Sequence, residues 1–226
     1  MVNIETYKAL KAELGDKVKL VVFSHRRSIN EIRVLYTLGH RDFGEHNMPE
    51  LAFKQLELPN DIHWHFTGQL LSNKVKFIAP FAHTIHRVDS FQLLEEIDRQ
   101  AANNRRVINC ILQMHIAEEE AKAGFDDQEL KTLIQALPKY KLVNKLMNVK
   151  LAGLTGFPSR TEDLNHIRKQ FKYLKCIFED AKTEISQPAF KILNMGMSSD
   201  YKIAVEEGST MVRIGTLIFN DKPAKA

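Results

Sequence analysis

Apolar positions along this chain switch repeatedly between helical spacing and short unbroken runs. Ile4, Tyr7, Leu10 and Leu14 recur at helical intervals and predict an opening helix. Lys19-Leu20-Val21-Val22-Phe23 then reads as a buried strand, and Ser28 with Glu31 forms a capping box ahead of Ile32 and Leu35. Arg41 to Phe43 is a short strand before a helix from Asn47 to Leu56. Ile62 to Phe66 is the next strand, followed by a helix from Ser72 to Ala79. His83 to Arg87 leads to a helix that starts at Asp89 and places Phe91, Leu94, Ile97 and Ala101 on one stripe. Val107 to Met114 is the clearest strand; its helix is capped by Asp126 and Glu129, carries Leu130, Leu133, Ile134 and Leu137, and is expected to end at Pro138. Val149 to Leu154 precedes a long helix begun by Ser159 and Glu162, burying Leu164, Ile167, Phe171, Leu174 and Phe178. Lys191 to Met195 and Thr210 to Ile214 are the last strands, separated by a short helix that ends at Gly208.

Eight strands, each but the last followed by a helix, predict a (β/α)8 TIM barrel with an additional N-terminal helix. A doubly wound sheet is the competing arrangement. At 226 residues and 44% hydrophobic the chain can bury one sizeable core, and without linker or repeat residues 1–226 read as a single domain. Cys110 and Cys176 sit in apolar segments with no metal or redox spacing, which predicts buried thiols in a reducing compartment. No segment resembles a secretory signal or approaches the roughly 20 apolar residues of a membrane span, so a soluble, cytoplasmic protein is expected. The net charge of +4 is spread along the chain, and no basic run or aromatic–basic module points to nucleic acid.

The chemistry concentrates near the end of the chain. Asn194-Met195-Gly196-Met197-Ser198-Ser199-Asp200 opens from an apolar run into Gly- and Ser-rich backbone before a helix, and the last strand finishes Arg213-Ile214-Gly215-Thr216. In a barrel, the loops after the last two strands lie side by side and commonly hold a phosphate on backbone N–H groups and hydroxyls. The bland alternative is that Gly196 and Gly215 allow tight turns and Ser199 caps a helix. Arg213 is costly to bury alone, so it reaches the barrel mouth or pairs outside with Glu206 or Glu207. Met195, Met197 and Met211 are expected to fill the top of the core. His63 and His65 share a strand face. They open a metal-site reading completed by His25, His86 or Asp89, against a packed or hydrogen-bonded His65 with His63 nearer the other strand end. Asn73 and Lys74 either contact an anion or begin a solvated helix face, and Glu45, His46 and Asn47 could rim the same mouth.

Phe43-Gly44-Glu45, Trp64-His65-Phe66-Thr67-Gly68, Ser72-Asn73-Lys74, Met195-Gly196-Met197-Ser198 with Asp200, and Gly208 to Gly215 together resemble the pyridoxal-phosphate homeostasis proteins, single-domain relatives of the alanine racemase barrel. The resemblance covers residues 3 to 219. It implies a barrel of the alanine racemase N-terminal type with pyridoxal 5'-phosphate (PLP) at its mouth. Ser198 and the backbone at Gly215 and Thr216 would hold the phosphate, Arg213 would face the pyridine nitrogen, and His25, His46, His65, Asn73 and Met197 would complete the cofactor site. It also implies handling of a reactive aldehyde without a settled turnover. The chain ends without the racemase's second domain, so two-base racemisation is not expected.

The chain departs from that pattern at the cofactor. The family's first strand normally finishes Val-Ser-Lys, and that lysine makes the Schiff base; here the run is Phe23-Ser24-His25. Imidazole has no primary amine. His46 stands where the family usually has asparagine. Lys19 lies at the far end of its strand, while Lys74 and Lys122 are the conceivable substitute amines. The expectation is a PLP-binding, homeostasis-type protein, non-enzymatic and monomeric, whose cofactor is held non-covalently or has been lost. Its partner is then a small phosphorylated ligand, with no nucleic acid or membrane. The alternatives are an acid–base enzyme acting on a phosphorylated small molecule through His25, His46 or His65, a metal-dependent hydrolase, and a regulatory protein that keeps the fold without a ligand.

Overall fold

The computed structural model describes residues 1–119, 124–142 and 146–219. Helix α1 (Ile4–Leu14) precedes β1 (Lys19–Phe23), and α2 (Ile29–Thr37) leads to β2 (Asp42–Glu45). Next come α3 (Met48–Glu57), β3 (His63–Phe66), a 3-10 helix at Ser72–Phe77, β4 (Thr84–Val88), α4 (Phe91–Asn103) and β5 (Ile108–Met114). The chain continues through α5 (Asp127–Leu142), β6 (Val149–Gly156), α6 (Leu164–Ile185), β7 (Ile192–Asn194), α7 (Tyr201–Glu206) and β8 (Met211–Ile214). All eight strands pair in parallel and in sequence order, and β8 returns to β1 to close a barrel. The doubly wound alternative is thereby set aside. No helix among the described residues is long and apolar enough to cross a membrane.

Local chemistry starts most of these elements. Ser28 and Glu31 make the expected capping box, and Asn47 accepts from the Glu50 N–H. Four boundaries differ from the sequence reading. The cap of α4 is Ser90 rather than Asp89, and that of α6 is Asp163, whose carboxylate accepts from the Asn165 and His166 N–H groups. Ser159 is used elsewhere: its hydroxyl accepts from Gln170 and from the Glu118 N–H. Pro138 lies inside α5, which continues to Leu142, with Tyr140 packed on Phe91 at 4.5 Å. The segment after β3 is a 3-10 helix, shorter than expected.

The main core lies between strands and helices, where Phe43, Phe66, Phe171 and Phe178 are fully buried. A smaller cluster of Val21, Ile111, Ala152 and Met211 fills the inside of the barrel. Cys110 is buried, as expected, but Cys176 is exposed, because it falls on the outer side of α6. Met195 and Met211 are core residues, whereas Met197 is 41% exposed at the mouth.

Strands β6 and β7 approach unusually closely at Gly153, which has φ +156° and where an added Cβ would lie 1.7 Å from the Ile192 carbonyl oxygen. Backbone cannot yield as a side-chain tip does. Gly153→Ala is expected to cost about 3 kcal/mol, lowering the melting temperature by roughly 6–12 °C in a chain of this size. Thermal denaturation by circular dichroism checks this, and an unchanged midpoint would contradict the close approach.

Candidate functional site

The turns after β7 and β8 meet at the C-terminal mouth of the barrel. The Gly215 N–H points at the Ser198 hydroxyl, 3.4 Å away. In the β7 turn, the Met197 N–H donates to Asp200, and the Asp200 and Tyr201 N–H groups donate to the Met197 carbonyl. That leaves the Ser198 and Ser199 N–H groups without a protein acceptor among the described residues. The β8 turn is similar: Ile218 and Phe219 donate to the Gly215 carbonyl, and the Thr216 and Leu217 N–H groups have no protein acceptor. Two adjacent turns therefore present free backbone donors around one hydroxyl, which is the requirement for holding a phosphate. Gly215 is needed for another reason: a Cβ there would lie 2.8 Å from the Phe23 carbonyl oxygen. Asp200, rather than Ser199, stands at the start of α7.

The end of β1 adjoins this pair of turns. The Phe23 ring stacks on His46 at 5.5 Å, and His46 sits 3.8 Å from the ring of His25. His25, His46, Ser198, Gly215 and Thr216 thus lie along one stretch of rim built from β2, β1, β8 and β7. Behind His25 is a charged cluster that the sequence reading missed. His25 Nδ1 lies 2.8 Å from Glu50 and 3.9 Å from Glu45, in neither case aligned as a hydrogen bond. Lys54, itself buried, donates to Glu45 at 2.5 Å, to Glu50 at 2.6 Å and to the Ser24 carbonyl at 2.6 Å. All three ammonium protons are spent on these acceptors.

Burial pushes the Glu45 carboxyl up to about 7, against the pull of Lys54 and Ser24. Burial acts the same way on Glu50, but the Lys54 ammonium and the Arg26 N–H outweigh it and hold that group below the ordinary range. His25, Glu45 and Glu50 also have the separations of a metal triad. The cation they already surround is the Lys54 ammonium, bonded to both carboxylates.

The inside of the barrel carries a directional hydrogen-bonded column. Asp42 bonds His65 Nε2 at 3.0 Å, His65 Nδ1 meets His86 Nε2 at 2.8 Å, and His86 Nδ1 meets the Asn194 amide nitrogen at 2.8 Å. The Asn194 amide nitrogen can only donate and the carboxylate can only accept, so both tautomers follow: His86 donates to His65, and His65 donates to Asp42. Lys19 closes the lower end by donating to Asp42 at 3.1 Å. Burial first, then the neighbouring His65, Arg213 and His83, depress His86 well below an ordinary histidine, and burial also lowers His65. Burial works to raise Asp42, but the His65 hydrogen bond and Lys19 bring it well below the usual carboxylate range. His65 has both ring nitrogens engaged within the column. His63 is half exposed and stacks on His83 at 4.4 Å.

Arg213 points into the mouth rather than outward. It is 5% exposed, its guanidinium lies 4.2 Å from the Phe157 ring centroid, and its Nε has no hydrogen-bond partner. Burial pulls it down to about 10, with Asp200 opposing. Glu206 and Glu207, its alternative partners, instead bind Arg168 from α6. Asn73 is exposed in the first turn of the 3-10 helix, and no contact joins it to the other rim residues. Lys74 lies over the Phe77 ring. Lys122 is outside the described residues.

This barrel and its mouth define a protein of the alanine racemase N-terminal class, and the family described as "Alanine racemase, N-terminal domain" matches residues 8–223. A racemase from Clostridium difficile 630 shares that fold with a TM-score of 0.77 at 14% identity, over 98% of this chain and 57% of its own. Closer relatives narrow the class. A pyridoxal phosphate homeostasis protein from Aquifex aeolicus (strain VF5) is 35% identical over 192 residues, covering 84% of this chain and 81% of the relative. PipY of Synechococcus elongatus PCC7942, solved without PLP, superposes with a TM-score of 0.86 at 32% identity over 95% of this chain and 98% of its own. Its structure with PLP bound gives 0.83. The chain belongs to the pyridoxal phosphate homeostasis protein family.

Proposed function

We propose that this protein binds PLP reversibly, through its phosphate and ring and without a covalent bond, and acts as a non-enzymatic homeostasis protein. The observation that carries the reading is the pair of adjacent turns with free N–H donors around Ser198 and Gly215, in a chain 32% identical to a protein solved with PLP bound. Ser198, Gly215 and Thr216 hold the phosphate. The unpartnered Nε of buried Arg213 suits the pyridine nitrogen, and His25, His46 and Met197 border the ring. His65 and Asn73 are assigned more remote roles, His65 through the His86–Asn194 column. When bound, the cofactor supplies an aldehyde; the residues of this rim orient and shield it. His25 offers no amine there, and Lys54 behind it has all its protons engaged. A metal-dependent hydrolase draws no support from His65, whose two nitrogens are used. The reading takes the chain as one domain, monomeric and cytoplasmic.

Absorbance titration with PLP, followed by dialysis, tests this. Wild-type protein is expected to bind saturably and release the ligand completely. Ser198→Ala removes a hydroxyl bonded to a phosphate dianion and is expected to weaken binding about tenfold. Absence of saturable binding overturns the reading, and an unaffected Ser198→Ala overturns the placement of the phosphate.

A further inference from the structure

The half of the mouth away from His25 and Gly215 opens into a cavity of about 520 Å3 at the ends of β4 to β7. Met114, Ile116, Ile167 and Phe157 give it an apolar floor, and Arg87 and Arg160 line it with guanidinium groups. Phe157 also carries the Arg213 guanidinium on its ring, so the ring stands between this cavity and the phosphate side.

Charge within the cavity is not balanced. Arg87 makes no ion pair among the described residues, and its Nε is buried without a hydrogen-bond partner. Arg213 repeats that condition, and the two guanidiniums repel each other. Asp200 is the one acid lining the cavity among the described residues, and its Oδ1 is already engaged by the Met197 N–H at 2.6 Å. Arg160 adds a further exposed cation at the rim. Among the described lining residues, the Arg87 and Arg160 guanidiniums against the Asp200 carboxylate leave an excess of one positive charge, set over apolar walls. A half-buried guanidinium whose Nε has neither access to water nor a partner is costly, so the arrangement calls for an anion. A guanidinium fork matches a planar carboxylate, and the floor matches hydrocarbon.

We infer that this cavity is a second binding site, for a small amphipathic monocarboxylate whose carboxylate sits on Arg87 and whose apolar tail lies against Ile116, Phe157 and Ile167. The site adjoins the phosphate cradle, sharing Met197 and Ser199 of the β7 turn with it, and does not require PLP to be bound. One mouth thus takes a phosphate on its β7–β8 side and a carboxylic acid on its β4–β6 side.

Isothermal titration of the full chain with 4-methylpentanoate tests the site, with inorganic phosphate as the competing anion. Wild type is expected to bind one equivalent. Arg87→Gln is expected to lose about tenfold in affinity, the worth of one charge-assisted contact. Ser198→Ala is expected to bind the acid as wild type does while its PLP binding weakens about tenfold, and Arg87→Gln to do the reverse. Should Arg87→Gln fail to fold, Arg87→Lys keeps the charge and loses the fork, with a loss of about threefold expected. No saturable heat with the acid, an unaltered Arg87→Gln, or displacement by equimolar inorganic phosphate each overturns the carboxylate site. Failure of PLP to bind while the acid still binds counts only against the cofactor reading.

Discussion

His25→Lys is expected to turn a protein that releases PLP on dialysis into one that retains it through borohydride reduction, gaining one pyridoxyl group per chain by intact mass. The expectation rests on where His25 lies. It follows the end of β1, its ring is 3.8 Å from His46, and that rim continues through Phe23 to Gly215 and Ser198. An amine at this position would stand beside the aldehyde of a ligand whose phosphate occupies the two turns. Wild type cannot form the bond at residue 25. Its nearest alternative, Lys54, keeps its protons between Glu45, Glu50 and the Ser24 carbonyl, and a nitrogen with no free lone pair does not attack a carbonyl. His25→Gln serves as the control and gains no mass. Retained mass in wild type, mapped to Lys54, would show that the cluster gives up its proton and would refute non-covalent binding. A folded His25→Lys that binds PLP but is never trapped would show that residue 25 does not face the aldehyde.

The barrel was legible because its signals are local. Each strand is a short apolar run followed by a cap, as with Ser28 and Glu31, and eight repeats admit few closures. The errors fall where a distant partner decides. Ser159 reads as a helix cap, but Gln170, eleven residues on, takes its hydroxyl, and Asp163 caps α6 instead. Pro138 reads as a stop, but Tyr140 stays in register against Phe91 of α4.

The site was legible by halves. Ser198 and Gly215 lie in the turns after consecutive strands, so a parallel barrel places them together as soon as its order is known. Glu50 and Lys54 belong to α3, and a helix reads as carboxylate and ammonium four residues apart on a solvated face; only the docking of α3 against β2 shows that Lys54 is buried beneath His25. The column from Asp42 to Asn194 draws one residue from each of four strands, and no spacing in the sequence connects them. Arg87 was read only as the end of a strand, since the imbalance of charge around it appears only when β4 and β8 are seen across the mouth.

Acid is expected to destabilise the protein steeply below pH 6.5, and the column is the reason. His86 is fully buried and kept neutral, well below its ordinary range, while the unfolded chain takes up a proton near 6.5. A group depressed in the folded state contributes stability that is complete above its unfolded pKa and is lost as pH falls, at about 1.4 kcal/mol per unit while it stays neutral. His86 therefore removes stability as pH falls below 6.5, and His65 acts in the same sense. His40, drawn down to about 4 by burial, has the same sign, and Asp42 adds its loss at lower pH. Glu45 opposes them. Raised to about 7, it contributes stability below 4.5 that is lost as pH rises through 7, so acidification regains about 3 kcal/mol there. That gain about cancels His40 and leaves His65 and His86 unopposed. Between pH 6.5 and 4.5 the melting temperature is expected to fall, by about 2–4 °C for each kcal/mol lost. His86→Gln, which can still accept from Asn194 and donate to His65, should flatten the acid limb, and Glu45→Gln should steepen it. A melting temperature that holds or rises down to pH 4.5 would mean that the column admits a proton without loss.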